Sequence, residues 1–224
     1  MFDTDRAAVV QLPLRGEWTA VRSPGSKVPS HGTDLLGQRY AFDFVRLDRR
    51  GRYADASWWR GAVVGVPTRD CYAWGQPIHA AAPGTVVAAV DGVAERATVQ
   101  PLREQWAALR TMTRFDSERP WSVAGNYVLV ASDVGHVLYA HLAPGSVAPR
   151  TGDRVTAGDV LGRVGHTGNS TAPHLHVHVM DGPDPRVAAG VPIVFELYEV
   201  WRDGAWLLVE RGVPATTDRI RSVA

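Results

Sequence analysis

The sequence predicts a mainly β protein: a curved antiparallel β-sheet core with one helical insertion and terminal β extensions. Its 22 glycines and 15 prolines are spread as punctuation between short apolar runs, which suits strands and turns and is too many for a helical bundle. The runs themselves are rich in β-branched and aromatic residues, as in "NYVLVAS" and "HVLYAHL". Only residues 95–113 carry a convincing helical pattern, with Leu102, Trp106, Leu109 and Met112 recurring at spacings of three and four.

In chain order, "VVQLPLRGEWTAV" through "RYAFDFVRLD" reads as strands joined by the turn-rich loop "RSPGSKVPSHGTDLLGQ". The segment "PIHAAAPGTVVAAVDGV" reads as a strand, a Pro-Gly turn and a strand. The helical insertion is expected over about 95–120, its main helix at 96–113. Strands then resume, and the glycines of "GDRVTAGDVLGRVGHTGNS" mark tight bends between short ones. "VFELYEVW" and "AWLLVE" read as a terminal hairpin or extension over about 190–224. No solenoid-period repeat or low-complexity tract interrupts this order, so residues 1–224 read as one domain with a core at about 27–185.

A chain of 224 residues with 45% hydrophobic content can bury a substantial core. Its net charge of +1 gives no bulk reason to bind nucleic acid or an acidic membrane surface. Cys71 is the one cysteine, which excludes an intramolecular disulfide, and "RDCYAW" offers no base to activate it; it reads as a buried structural thiol. The start, "MFDTDRAAVVQLPL", lacks a basic stretch followed by an apolar one, and no run of about eighteen apolar residues occurs. The expectation is a soluble monomer with no visible export or anchoring signal, which leaves its location open.

The chemistry concentrates in "TAPHLHVHVMDG", where histidines stand at 174, 176 and 178. Alternate residues of a strand share a face, their backbone positions about 6.5 to 7 Å apart. The flanking Leu175, Val177, Val179 and Met180 favour a strand whose other face meets the core. Neighbouring imidazoles on one face can converge on an ion, or one can hold the ion while the other reaches the attacked atom.

Asp43 in "YAFDF" is the first partner. Tyr40, Phe42 and Phe44 are expected to face the core, leaving Asp43 on the opposite face among apolar neighbours, where an unpaired carboxylate is costly. His31 in "PSHGTDLLG" is the second, if its loop folds back onto that strand. With the His174/His176 pair these give a His, Asp, His set with an open position, which suits a catalytic zinc ion and its water.

The stretch "LYAHLAPGSVAPRTGDRVTAGDVLGRVGHTGNSTAPHLHVHV" resembles the lysostaphin-type, LytM-like zinc endopeptidases of bacterial cell walls. The likeness extends back through "PIHAAAPGTVVAAVDGV", covering about 77–92 and 125–181. It implies a duplicated-hybrid-motif-like fold, one zinc ion per chain and hydrolysis of peptidoglycan stem or cross-bridge peptides. It also implies that His176 is a zinc ligand and that His174 and His141 are the catalytic histidines. The family's remaining ligands come from a histidine and an aspartate separated by three residues. Here His31 and Asp34 stand one residue too close, whereas His31 and Asp43 fit the chemistry better.

His178, where relatives often carry glutamate, is expected to support the site or line its groove. His79, His136 and His166 read as structural or solvated, and Asn169, Ser170 and Thr171 as the loop presenting the histidine strand. Trp58, Trp59, Trp74 and Trp121 are candidates for a peptide groove or for the core. Two other functions fit the same residues: a catalytically silent wall-binding or amidase-activating module, and a zinc peptidase acting on another peptide in the cytoplasm.

Overall fold

The computed structural model describes residues 7–56, 61, 64–100, 103–104, 106, 118 and 120–223. The fold is mainly β, built on one twelve-stranded sheet. Six strands form its centre, side by side in the order Gly84–Val90, Asn126–Ser132, Gly135–Leu142, Leu175–Met180, Phe42–Val45 and Glu17–Arg22. All the pairings among these six are antiparallel. The sheet as a whole is mixed, because Ala8–Val10 pairs in parallel with Ile193–Phe195.

One face of this sheet carries the main core. Phe42 and Phe44, fully buried, stack 5.7 Å apart and meet Phe195, while Leu175, Val177 and Val179 of the histidine strand join the same cluster. Burying such side chains contributes about 1.5–3 kcal/mol each, which fixes the register and so the opposite face, since a slip of one residue would exchange the two. Tyr40 departs from the expected alternation. It ends the 3-10 turn Leu35–Tyr40 before the strand begins, half-exposed, with the Arg39 guanidinium over its ring.

The terminal extension forms as a hairpin. Ile193–Arg202 and Ala205–Gly212 pair with Trp201 opposite Trp206, and Arg219–Arg221 lies between the long strand and Glu17–Arg22. Most of the expected helix at 96–113 lies outside the described residues. Within them Arg103, Glu104 and Trp106 are helical, but Thr98–Val99 is a strand paired with Val66–Pro67. The β-branched pair and the packing of Val99 against Ala54, Val66 and Cys71 override helical spacing there.

Candidate metal centre

The strand Leu175–Met180 places His176 directly opposite Asp43 on one side and Ala140 on the other. Asp43 lies on the face away from Phe42 and Phe44, and its carboxylate meets two imidazoles. His176 Nδ1 is 2.8 Å from Oδ1 and His31 Nε2 is 3.0 Å from Oδ2. His31, Asp43 and His176 each offer a ligand atom within 4.8 Å of the other two, the one such group among the described residues.

His31 arrives from a loop twelve residues before Asp43. The Ser30 amide donates to the Arg39 carbonyl and pinches that loop shut. Gly37 presses it onto the histidine strand: at φ +67° and so close that a Cβ would fall 2.4 Å from Met180 Cγ, the position admits no side chain. Asp34 sits in the same loop but is spent elsewhere, accepting two hydrogen bonds from Arg39 at 2.7 and 2.6 Å in an exposed pair.

His141 reaches the site by an irregularity. Asn126 pairs with Leu142 and Val128 with Tyr139, so one residue of one strand faces two of its neighbour. Regular alternation would put His141 on the core face with the buried Tyr139. The bulge, with His141 in the left-handed region at φ +65°, turns the imidazole onto the site face. There its ring centroid lies 4.7 Å from that of His174. His141 Nδ1 donates to the Thr167 carbonyl at 2.9 Å and His174 Nδ1 to the Ala172 carbonyl at 2.7 Å. Nδ1 therefore holds a proton in both rings, which puts the lone pair of a neutral ring at Nε2.

His178 is buried with Nδ1 2.9 Å from His176 Nε2; it lines the same cleft and lies outside the converging group of His31, Asp43 and His176. Ser170 links His174 to one further ring, its hydroxyl 2.9 Å from His166 Nδ1 and 3.1 Å from His174 Nδ1. The site opens into a cleft of about 590 Å³ that Leu35, Leu36 and Trp121 also line. Trp121 stacks on Tyr127, whereas Trp74 is tied to Glu95 away from the cleft; Trp58 and Trp59 lie outside the described residues. Cys71 is buried, and burial pushes its thiol up to about 12, the state of a structural cysteine. Sequence reasoning missed Arg22, which enters the same cleft with Nε 3.8 Å from Asp43 Oδ2.

Burial alone would raise the Asp43 carboxyl, but His31, His174 and the hydrogen bond from His176 overcome it and hold the group well below the usual carboxylate range. Burial pushes His141, His176 and His178 down, so all three rings stay neutral at pH 7. A neutral His176 ring beside an ionised carboxylate suits a divalent cation, and the donor set of two ring nitrogens and one carboxylate oxygen fits zinc.

An acid sensitivity follows. Burial, with Arg96 close by, pushes His166 down to about 3, so below about pH 6.5 the unfolded chain takes up a proton that this folded ring refuses. Stability is full above that pH and declines below it, by about 1.4 kcal/mol per pH unit for this ring alone. Chelator-treated protein is expected to melt several degrees lower at about pH 5 than at about pH 7.5, and His166→Asn to flatten that slope. Equal midpoints would contradict a buried neutral ring.

Residues 107–187 match the model of Peptidase family M23. This segment belongs to the M23 peptidases. It contains His141, His174, His176 and His178, while His31 and Asp43 precede it and join the site through geometry. Among solved structures this chain is similar to a variant of the catalytic domain of the prophage-encoded M23 protein EnpA from Enterococcus faecalis. Identity is 19% and the TM-score 0.42, over 84% of this chain and 95% of that one. It is similar also to the catalytic domain of the antimicrobial peptidase lysostaphin from Staphylococcus simulans, at 19% identity and a TM-score of 0.38, over 71% of this chain and 86% of that one. A zinc-containing peptidase from Vibrio cholerae is 18% identical with a TM-score of 0.36, over 84% of this chain and 38% of that one, so this chain spans less than half of its length.

Proposed function

We propose that this protein is a zinc-dependent endopeptidase that hydrolyses the cross-link peptides of bacterial peptidoglycan. The observation that carries the reading is the juxtaposition of two different imidazole sets in one cleft. His31 and His176 converge on Asp43, while His141 and His174 lie side by side with Nδ1 of each held by a backbone carbonyl. His31, Asp43 and His176 would hold the zinc, which when bound supplies Lewis acidity and acidifies a water molecule.

The chain's own residues do the rest. His141 or His174 accepts the proton of the attacking water at Nε2; the resulting N–H steadies the oxyanion and then protonates the leaving amine. The Thr167 and Ala172 carbonyls hold the two rings in the required tautomer. Burial, helped by the nearby His174 and His176, keeps His141 low, so a proton taken up there is readily passed on. His178, hydrogen-bonded to His176, fixes the orientation of that ring.

The test is digestion of purified peptidoglycan, with new peptide termini identified by mass spectrometry and metal content measured on the same preparation. Expected are new amino termini within the cross-links, one zinc per chain, and loss of cleavage on chelation. Zinc without new termini would move the substrate to another peptide, and neither zinc nor turnover would leave a binding module.

A further inference from the structure

We propose that Arg22 determines specificity by binding a carboxylate of the peptide substrate beside the scissile bond; the proposal rests on the peptidase reading above and adds the chemical class that this site selects.

The argument starts in the strand Glu17–Arg22. Its pairing with Phe42–Val45 sets Thr19 opposite Val45 and Ala20 opposite Phe44, and then Arg22 opposite Asp43, with Val21 left over. Without that bulge, residue 22 would follow Trp18 and Ala20, which are buried against the core. A guanidinium there would be desolvated beside Phe42 and Phe44. The extra residue shifts the alternation by one, and Arg22 stands on the face of Asp43, His176 and Ala140, along one rung across four strands. The bulge thus delivers a cation to the rim of the metal centre, as the one at His141 delivers an imidazole.

The state of the side chain points to a ligand. Arg22 lies 3.8 Å from Asp43 through Nε, a charge contact too long for a hydrogen bond, and no hydrogen bond among the described residues uses its guanidinium. Asp43 is the one acid within ion-pair distance of it among the described residues. The side chain is 55% exposed and opens onto the cleft. Of the described residues lining that cleft, Arg22 and Asp43 alone carry fixed charge; the rest are imidazoles, neutral polar groups and apolar side chains.

When Asp43 serves a divalent cation, its charge is more than neutralised, and Arg22 is left facing the cleft with its planar fork of donors free. A carboxylate is the group that such a fork binds through two parallel hydrogen bonds. One residue of extended peptide spans about 3.3–3.6 Å, so a guanidinium this close to a ligand reaches a carboxylate one or two residues from the attacked carbonyl. A terminal α-carboxylate and an acidic side chain present the same chemistry.

The experiment uses matched peptides sharing one scissile bond: one ending in a free carboxylate, one in an amide, and a further pair with Asp or Asn beside the bond. Relative kcat/KM is measured for the wild type, Arg22→Gln and Arg22→Lys, together with zinc content and calorimetric binding of the corresponding product peptides. The wild type is expected to favour a carboxylate over its neutral match by about 10- to 100-fold, as one charge-assisted pair supplies. Arg22→Gln should bring the ratio close to one with zinc retained, and Arg22→Lys should keep part of it. The pair showing the larger ratio identifies the source of the carboxylate. A wild-type ratio near one, an unchanged ratio in Arg22→Gln, or zinc loss in that variant would overturn the proposal. If no peptide is cut, the peptidase reading falls, and the calorimetric preference still decides whether Arg22 binds a carboxylate.

Discussion

Asp43→Ala is expected to strip zinc from the purified protein and abolish peptide hydrolysis, while Asp34→Ala leaves both nearly intact. In the proposed zinc site Asp43 is the one anionic ligand, and it is buried where His31 and His176 both point their nitrogens at it. Its loss removes a ligand and leaves those donors without an acceptor. The effect should exceed the 10- to 100-fold drop in metal affinity that residues supporting a ligand typically cause. Asp43→Asn, close in shape, separates this from misfolding: it should fold and still bind zinc poorly. Asp34 lies exposed in its pair with Arg39, so its removal costs only a surface ion pair of about 0–1 kcal/mol. Metal analysis giving the reverse order would make His31 and Asp34 the ligands.

The parts of this site that alternate regularly were legible in the sequence. His174, His176 and His178 follow one another at the period of a strand, and Asp43 falls between two phenylalanines that the core claims, so two adjacent strands declare their inner and outer faces. The hairpin from 193 to 212 was legible for the same reason, as two apolar runs joined by a short polar turn. His31 could be named as a candidate by its chemistry, but the return of its loop depends on contacts between Gly37 and Met180 that are remote in sequence.

What stayed hidden is what breaks the alternation. A bulge is a property of two strands in register, and neither strand announces it alone. By parity His141 belongs with Tyr139 on the core face, so a resemblance to known sequences could name it while periodicity could not. Arg22 has no resemblance to mark it and by parity belongs with Ala20, so no signal within the chain assigns it to the cleft. The strand at Thr98–Val99 was obscured in the opposite way, since its neighbours carry helical spacing while its own pairing partner lies more than thirty residues earlier. Two of the sheet's irregularities, at Val21 and at His141, thus lie at the cleft, where local preference is overridden to aim a side chain.

His174→Ala and His176→Ala, alterations one strand repeat apart, are expected to fail differently. His176 Nδ1 lies 2.8 Å from Asp43 and belongs to the group whose ligand atoms converge, so His176→Ala removes one of the three proposed ligands and should lose both zinc and activity. His174 Nε2 stands 3.6 Å from the same carboxylate, beyond hydrogen-bond distance, and lies outside that group. His174→Ala should therefore retain zinc while its rate falls by about 10²- to 10⁴-fold, the usual loss for a positioned acid or base. His141→Ala should follow His174→Ala, because its Nε2 is freed in the same way by a backbone carbonyl at Nδ1. His178→Ala should leave a ligand set that still binds zinc, with activity reduced by about tenfold at most, since His178 acts through the His176 ring. Zinc content and turnover measured side by side on the four variants, each checked for folding by circular dichroism, distinguish the roles. Zinc loss in His174→Ala with retention in His176→Ala would exchange them, and full activity in both would remove the histidine strand from the chemistry altogether.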